Sequence, residues 1–407
     1  MLTALEQGVK GGKWFSLVDK VYAQGNLRSA FEQVRRNKGS AGVDHQTVAM
    51  FGRRLDENLD QLGRALADGS YQPQAVRRVE IPKPGSREKR PLGIPTVRDR
   101  VAQTAIRNVL EPIFERDFAE HSYGFRPGRG CKDALRRVRN LLHDGYGYVV
   151  DADLKRFFDT IPHEKIMDGL KAKVSDGRML SLIEGYLTQK VMDDLTEWTP
   201  NEGTPQGAVL SPLLANISLD GLDHLMAKAG YEMVRYADDF VILCRTREEA
   251  ERALSLVREW TAQAGLTLHP DKTRLVDAAN GEGFDFLGYH FERGLKWPRR
   301  KSVKKLKDAI REKTKRNNGE SLETIIKAVN TTLRGWYEYF KHSHKTTFEP
   351  LDKWIRMRLR SILRRRKGLR GRGRGADHQR WQNAFFEGLG LYSLATAYAK
   401  ECQSLKR

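Results

Sequence analysis

The sequence predicts a mixed fold of helices and strands, in which an antiparallel sheet carries a group of acidic side chains. A short apolar run at 148–153 ends in acids and is typical of a buried strand. Two apolar arms at 233–236 and 240–243 flank a short acidic turn, which is the pattern of a β-hairpin. Residues with helical spacing separate these strands, so the predicted fold class is α+β.

Charge and composition restrict the partners that the protein can have. The chain has 407 residues with 72 Lys and Arg against 52 Asp and Glu, which gives a net charge of +20. Such an excess favours an anionic partner, and nucleic acid is the first candidate because each neutralised phosphate releases counterions. A basic protein that is merely soluble is the alternative. The length suits two or three domains.

The three cysteines give no sign of a stabilising disulfide or metal framework. Cys131, Cys244 and Cys402 lie far apart and form no C-x-x-C pair, which fits a reducing compartment. The N-terminal residues contain no apolar stretch of signal-peptide length, and no run approaches the roughly 20 apolar residues of a membrane span. We therefore expect a cytoplasmic protein without a membrane partner.

The first hundred residues are predicted to be mainly helical. Helices are expected at 14–36 and 46–67, separated by a loop of glycines and small polar residues at 37–44. A strand is expected at 77–82, before a Pro-Gly turn. The next predicted helix covers 98–117.

The rest of the chain continues this alternation and then becomes mostly helical. The remaining predicted elements are helices at 162–189, 211–228 and 247–264, a strand at 284–291, and helices at 321–340 and 348–366. Ser302 is the predicted N-cap of a helix with Val303, Leu306 and Ile310 along one face. The stretch from Lys353 to Arg374 has 11 Lys or Arg and no acid. That density favours contact with nucleic acid over a solvated basic face.

Asp153, Asp238 and Asp239 are the candidate catalytic residues. Asp153 ends one predicted strand and the other two occupy the hairpin tip, so the three carboxylates converge if the strands are neighbours. Clustered carboxylates repel one another unless a cation lies between them, and oxygen ligands suit Mg²⁺. Two such ions about 3.5–4 Å apart would stabilise both the attacking and leaving oxygens of an in-line phosphoryl transfer. An Asp pair in a turn is a weak signal alone, because Asp is common in turns.

Further motifs give these acids a family context. Tyr-Ala-Asp-Asp at 236–239 resembles the Y-x-D-D signature of reverse transcriptases, and 153–159 resembles the motif that supplies the other catalytic Asp. Other segments resemble motifs of group II intron-encoded reverse transcriptases, namely 81–84 with 90–96, 123–128, 203–217 and 286–289. The matches keep the family's order, and the chain therefore resembles the group II intron reverse transcriptases and maturases.

The resemblance implies a right-hand polymerase with fingers, palm and helical thumb. The implied divisions are an N-terminal helical extension at 1–75, fingers and palm at 76–294, a thumb or maturase domain at 295–370 and a short basic C-terminal segment at 371–407. Residues 381–399 resemble the short C-terminal end of the intron-encoded group, and no zinc-type Cys/His cluster or nuclease-like extension follows them. The DNA endonuclease domain of some relatives is therefore not expected here.

The resemblance also implies roles at the catalytic centre. Asp153, Asp238 and Asp239 would bind two Mg²⁺ ions. The family spacing of five residues to an aromatic selects Asp153 over Asp151, and it makes Phe158 the steric gate against ribonucleotides. Ordinary core packing is the alternative for Phe158.

Other residues would bind the substrates. Lys83 and Arg90 would hold the triphosphate, although a solvated surface pair is also compatible with their positions. Gln206 would lie beside the nascent base pair, and Lys272 would protonate the leaving pyrophosphate unless it is only a surface charge. The residues implied to contact template or primer are Gly39, Ala41, Gly42, Arg126, Phe286, Leu287 and Gly288.

The resulting hypothesis is an RNA-directed DNA polymerase that uses an RNA template, a DNA primer and dNTPs. It would also bind group II intron RNA as a splicing maturase and support retrohoming. Two alternatives remain open: an RNA-binding maturase without significant polymerase activity, and a domesticated reverse transcriptase in DNA repair or phage defence.

Overall fold

The computed structural model describes residues 12–82, 89–193, 196–373 and 375–404. The chain divides into two compact units, Met1–Asp277 and Ala278–Arg407. This division falls earlier in the chain than the domain boundary expected at 294–295. The residues expected to form the last strand at 284–291 therefore belong to the second unit.

The N-terminal helices are part of the first unit's main core. The first two predicted helices are each broken, giving α1 (Val18–Tyr22), α2 (Gln24–Asn37), α3 (Val48–Arg53) and α4 (Leu55–Asp68). The first break is at Ala23, whose backbone is extended. Apolar side chains of these helices are buried with those of α5 (Val97–Glu115), because each helix is amphipathic.

The first unit contains two four-stranded sheets. Its strands are β1 (Val76–Pro82), β2 (Lys89–Ile94), β3 (Tyr148–Asp153), β4 (Val191–Asp193), β5 (Thr196–Trp198), β6 (Glu232–Tyr236), β7 (Asp239–Cys244) and β8 (Arg274–Asp277). One sheet has the order β2-β1-β4-β5 and the other has the order β6-β7-β3-β8. All neighbours in the second sheet are antiparallel, as the sequence predicts for β3, β6 and β7.

Further helices alternate with these strands. They are α6 (Cys131–His143), α7 (Phe157–Thr160), α8 (His163–Lys171), α9 (Gly177–Leu187), α10 (Ser211–Lys228) and α11 (Arg247–Gln263). The helix predicted at 162–189 is divided into α8 and α9, and Asp176 caps α9 by accepting from the backbone N–H of Met179. The prediction of a helix at 211–228 is confirmed with the same bounds.

The second unit begins with a three-stranded antiparallel sheet and continues as helices. The strand predicted at 284–291 is in fact a hairpin of β9 (Phe284–Phe286) and β10 (Tyr289–Glu292), because Leu287 and Gly288 both have positive φ and turn the chain. The remaining elements are β11 (Leu295–Pro298), α12 (Arg300–Lys313), α13 (Leu322–Phe340), α14 (Phe348–Arg366), α15 (Asp377–Arg380), α16 (Asn383–Gly388) and α17 (Leu394–Ser404).

Two local predictions in the second unit need correction or extension. Ser302 is not an N-cap, because α12 begins at Arg300 and the Ser302 hydroxyl instead donates to the carbonyl oxygen of Gly288. Residues after 370 contribute Trp381, Phe386 and Leu394 to the buried core of this unit. The α+β prediction is confirmed. No helix in the described part of the chain is long and apolar enough to cross a membrane.

Candidate active site

The register of the antiparallel sheet brings the three predicted aspartates to the same end of the sheet. Asp153, the last residue of β3, lies directly opposite Asp239, the first residue of β7. Asp238 is in the two-residue turn that joins β6 to β7. Burial raises the pKa of Asp238, and the negative charge of Asp153 raises it further, whereas the charges of Arg90 and Arg235 lower it. The carboxylates of Asp153 and Asp238 are therefore close enough to interact electrostatically.

The Asp153 carboxylate is paired with the other residue predicted to be catalytic. Lys272 Nζ lies 2.5 Å from Asp153 Oδ2. The backbone N–H of His269 donates to the Asp153 carbonyl oxygen at 2.7 Å. The segment that contains His269 and Lys272 thus lies beside the end of β3. Within residues 12–82, 89–193, 196–373 and 375–404, no three His, Cys, Asp or Glu side chains are grouped as a metal site.

The side chains at this end of the sheet nevertheless have the chemistry of ligands for a divalent cation. Asp153, Asp238 and Asp239 offer carboxylate oxygens, the ligands that Mg²⁺ prefers. The Lys272 ammonium already neutralises Asp153, which shows that this carboxylate accepts a positive partner at this position. A bound cation would have to share or replace that ion pair.

Asp151 has a different partner from Asp153. It lies opposite Arg274 of β8, and Arg274 Nε is 3.2 Å from Asp151 Oδ2. The Asp151 side chain is also less exposed than that of Asp153, at 17% against 34%. The choice of Asp153 over Asp151 as the catalytic residue stays a prediction.

A buried cluster that the sequence analysis missed supports the turn between β6 and β7. Arg235 is fully buried and forms an ion pair with Asp223 of α10, with Nε 2.7 Å from Oδ1 and Nη2 bonded to Oδ2. Arg235 Nη1 also donates to Asn216 Oδ1 at 3.0 Å and to the Ala237 carbonyl oxygen at 2.9 Å. The available signal was an arginine inside an apolar strand, which requires a buried acidic partner.

The motif at 123–128 packs against the same turn. The backbone N–H of Tyr123 donates to the Arg235 carbonyl oxygen at 2.9 Å, and Asn216 Nδ2 donates to the Gly124 carbonyl oxygen at 2.9 Å. A Cβ atom at Gly124 would collide with the backbone nitrogen of Ala237. Only glycine therefore allows this approach to Ala237, which itself has a positive φ of 59°.

Arg126 departs from its expected role as a template or primer contact. Its guanidinium is buried and donates to both carboxylate oxygens of Glu115 and to the carbonyl oxygens of Ala119 and Ser122. It also lies over the ring of Phe118, at 5.3 Å from the ring centroid. With these partners, Arg126 holds the chain after α5 in place.

Phe158 lines a cleft of about 220 Å³ in the first unit. Gln206, Asp159 and Arg156 also line this cleft, together with Trp198 of β5. The half-buried Phe158 ring packs edge-on against Phe157, with ring centroids 5.4 Å apart. One side of the Phe158 ring is thus supported by the core.

A chain of polar contacts joins the predicted nucleotide-binding residues. Arg90 Nε donates to Gln206 Oε1 at 2.6 Å, and Gln206 Nε2 donates to Asp159 Oδ1 at 3.0 Å. Arg156 Nε lies 3.3 Å from the other oxygen of Asp159. Arg90 therefore donates to Gln206, and its positive charge also lowers the pKa of Asp238. Lys83 lies outside the described residues.

Two arginines fix the loop that was expected to contact the template. Arg100 Nη2 donates to the Ser40 carbonyl oxygen at 2.8 Å, and Arg77 Nη2 donates to the Ala41 carbonyl oxygen at 2.7 Å. Gly39 has a positive φ of 105°, and Gly42 is buried against the backbone at Thr96. The loop is thus attached to the first unit by its backbone.

The segment Phe286-Leu287-Gly288 is a turn inside the second unit. The Phe286 ring is only 1% exposed, so in this conformation it is a core residue and not a surface contact for a primer. The Leu287 carbonyl oxygen accepts from the Tyr339 hydroxyl at 2.7 Å. The Gly288 carbonyl oxygen accepts from Ser302 Oγ at 3.0 Å.

A strand-end aspartate that faces a Tyr-Ala-Asp-Asp turn across an antiparallel sheet defines the palm of a polymerase. The family model for reverse transcriptase (RNA-dependent DNA polymerase) matches residues 81–291, which is more than half of the chain. The model for the group II intron maturase-specific domain matches residues 303–381. The chain belongs to the group II intron reverse transcriptase and maturase family.

Three curated relatives illustrate this similarity. Protein YkfC of Escherichia coli is 34% identical over 62% of this chain and 76% of its own length. Group II intron-encoded protein LtrA of Lactococcus lactis is 38% identical over 48% of this chain and 32% of its own length. The putative COX1/OXI3 intron 1 protein of Saccharomyces cerevisiae is 26% identical over 92% of this chain and 49% of its own length. The chain thus matches half or less of the two intron proteins.

Proposed function

We propose that this protein is an active RNA-directed DNA polymerase that extends a DNA primer along an RNA template. The observation that carries the proposal is the pairing of Asp153 with Asp239 across β3 and β7, with Asp238 in the adjoining turn. In this arrangement three carboxylates from distant parts of the chain lie at the same end of the sheet, where two neighbouring strands end and begin. Such a group suits phosphoryl transfer, in which positioning and charge stabilisation supply most of the catalysis.

Asp153, Asp238 and Asp239 would hold two Mg²⁺ ions. When bound, these ions supply charge stabilisation for the attacking 3′-oxygen and the leaving pyrophosphate. The protein's own contribution is to keep the carboxylates in a fixed arrangement. The buried Arg235–Asp223 pair and the Gly124 contact do this for the turn that carries Asp238.

The incoming dNTP would occupy the cleft lined by Phe158 and Gln206. Arg90 would bind the triphosphate with Lys83, and its present bond to Gln206 keeps its guanidinium at the cleft. Phe158 would exclude a ribose 2′-hydroxyl, because its ring is supported from behind by Phe157. Gln206 would then face the nascent base pair.

Lys272 would act as the proton donor to pyrophosphate. Its ammonium lies 2.5 Å from Asp153 Oδ2, at the end of β3. From this position a proton could reach a leaving oxygen. In the substrate-free protein the same contact neutralises Asp153. Lys272 would therefore exchange Asp153 for the pyrophosphate when substrate binds.

We also propose that the second unit binds group II intron RNA and that the protein serves splicing and intron mobility. The maturase-specific match at 303–381 supports this, as do relatives whose names refer to introns. We assign fingers and palm to 76–294 and the thumb to 295–370, after an N-terminal extension. The loop around Gly39, Ala41 and Gly42 would contact the template.

Primer extension by the purified protein tests the proposal. The reaction would contain a poly(rA) template, an oligo(dT) primer, dTTP and Mg²⁺. We expect extension by the unmodified protein, none by the Asp238→Ala variant, and equal RNA binding by both. Binding of RNA without extension by the unmodified protein would instead favour the second candidate, a maturase that lacks polymerase activity.

A further inference from the structure

A cavity of about 290 Å³ in the second unit is lined largely by arginines. Arg311, Arg316, Arg358 and Arg372 come from α12, the segment after it, α14 and the segment after α14. The other lining residues are Trp354, Met357 and Ser361, so among the described residues no carboxylate lines the cavity. Four guanidinium groups from four parts of the chain thus converge on one concave surface.

Arg358 lines this cavity and is held in place by the fold. It is half-buried, and its Nη2 donates to the Thr314 carbonyl oxygen at 2.7 Å, while its Nε donates to Thr314 Oγ1 at 3.0 Å. These bonds tie α14 to the end of α12. The orientation of the Arg358 guanidinium is therefore fixed before any ligand binds, which lowers the entropy cost of binding.

The arginines at the cavity entrance have a different character. Arg316 and Arg372 are exposed, and in the described part of the chain neither side chain has a hydrogen-bonding or ion-pair partner. Arg311 also lies over the Trp354 ring, at 5.6 Å from its centroid, although it pairs with Asp308 as well. Two arginines are thus available to an external anion beside one that the fold orients.

The positive charges in this cavity repel one another. Burial lowers the pKa of Arg358, and the charges of Arg316, Arg311 and Arg372 lower it further. Like charges held together in a partly buried position destabilise the protein unless an anion lies among them. Guanidinium groups bind phosphate oxygens in a bidentate manner, so a phosphate group is a suitable anion.

We propose that this cavity, which we call the arginine pocket, binds one backbone phosphate of an RNA strand. The inference rests on the RNA-binding role proposed above and assigns it a specific site. Arg358 would contact the phosphate from below, and Arg316 and Arg372 would close on it from the entrance. The contact would orient the RNA without reading its bases.

The test compares two double variants of the full chain in binding to a defined RNA hairpin. Arg316→Gln with Arg372→Gln removes two charges from the arginine pocket and no bond within the described residues. Arg365→Gln with Lys400→Gln is the matched control, because both residues are exposed, lie in the same unit and do not line the cavity. Arg358 stays unchanged because of its bonds to Thr314.

We expect the pocket variant to lose about tenfold in RNA affinity and to lower the slope of log affinity against log salt by about one. The control should lose about twofold or less. A single methylphosphonate, moved along the hairpin backbone, should weaken binding most at one position in the unmodified protein. That position should have no effect in the pocket variant.

Equal losses in the two double variants would overturn the proposal, as would a methylphosphonate profile that is the same in the pocket variant and the unmodified protein. Inorganic phosphate, followed by ³¹P line broadening, distinguishes a free anion from an RNA strand as the ligand. Phosphate binding that depends on the pocket, together with unchanged RNA affinity, would contradict the RNA assignment. None of these measurements requires catalysis, so failure of primer extension would not affect them.

Discussion

Arg235 and Asp223 form a fully buried ion pair directly beneath the turn that carries Asp238. Both side chains have no solvent exposure, and the same guanidinium donates to the carbonyl oxygen of Ala237 in that turn. Removing two charges from water is costly, and the attraction between them compensates only when their remaining hydrogen bonds are also satisfied. Here Asn216 provides one of those bonds. The pair thus helps to hold the turn that carries Asp238.

We predict that Asp223→Asn destabilises the first unit and slows polymerisation. The change leaves the buried charge of Arg235 without its partner, which should lower the free energy of unfolding by about 3–5 kcal/mol. Denaturant unfolding measures this loss. The matched control is Glu232→Gln, at the start of β6, the strand that contains Arg235. It removes the partly exposed partner of Arg137 and should cost about 1 kcal/mol or less.

Arg235→Lys separates the positioning role from stability. A lysine retains the charge beside Asp223 but cannot also donate in the planar geometry that reaches Asn216 and Ala237. We expect kcat for primer extension to fall about tenfold or more, with the KM for dNTP nearly unchanged, because the turn is displaced while the nucleotide cleft is intact. A normal kcat in this variant would exclude the positioning role.

The second prediction concerns the choice of sugar. Phe158→Ala should increase incorporation of ribonucleotides relative to deoxyribonucleotides by about tenfold to 100-fold, because the ring no longer occupies the space of the 2′-hydroxyl. Single-nucleotide extension with rNTP and dNTP measures the ratio. Trp198→Ala is the control, since Trp198 lines the same cleft but is not predicted to face the sugar. Equal ratios in the two variants would remove the gate role from Phe158.

The third prediction is a pH dependence of stability. Burial raises the pKa of Asp176, but backbone N–H donors, including those of Leu17, Val18 and Met179, outweigh it and hold the pKa below its usual value. Because the folded pKa is lowered, this carboxylate stabilises the fold above its unfolded pKa of about 3.9, and the contribution is lost as the pH falls through the folded pKa.

Asp176→Asn should therefore lower the free energy of unfolding of the first unit by about 1–2 kcal/mol at pH 7, and by less as the pH approaches the folded pKa. Urea unfolding at several pH values measures this difference. Asp168→Asn, at an exposed position on α8, should have little effect at any pH. A pH-independent loss in the Asp176 variant would show that the lowered pKa does not contribute.

The fourth prediction concerns the contact between Lys272 and Asp153. Lys272→Met removes an ammonium that competes with a cation for Asp153, so the Mg²⁺ concentration needed for half-maximal extension should fall. The same variant should lose about 100-fold in kcat if Lys272 is the proton donor. Titration of Mg²⁺ under saturating dNTP measures both quantities. An unchanged Mg²⁺ requirement would indicate that Lys272 does not compete at Asp153.

Local sequence patterns predicted the palm well because its strands have strong signals. The apolar run of β3 and the two arms of the β6–β7 hairpin specify buried strands, and α10 follows from apolar residues with a good start at Ser211-Pro212. Motif spacing then selected Asp153 over Asp151. In the structure, Asp151 instead pairs with Arg274.

Other features depend on tertiary contacts that a local pattern does not contain. Arg126 is a basic residue in a loop motif, and nothing in its neighbours reveals that Glu115 encloses it. The strand predicted at 284–291 contains the turn at Leu287-Gly288, which interrupts an otherwise apolar run. The partnership of Arg235 with Asp223 joins a strand to a helix and becomes visible only when both are packed.

Asp153 lies opposite Asp239 in the sheet, and we propose that both are catalytic. The most direct test compares Asp153→Asn with Asp151→Asn in Mg²⁺-dependent primer extension on an RNA template. Both variants remove one carboxylate charge from the same face of β3. We predict that Asp153→Asn abolishes extension while RNA binding persists, and that Asp151→Asn retains most of the activity. Full extension by the Asp153 variant, or equal loss in both variants, would contradict the proposed active site.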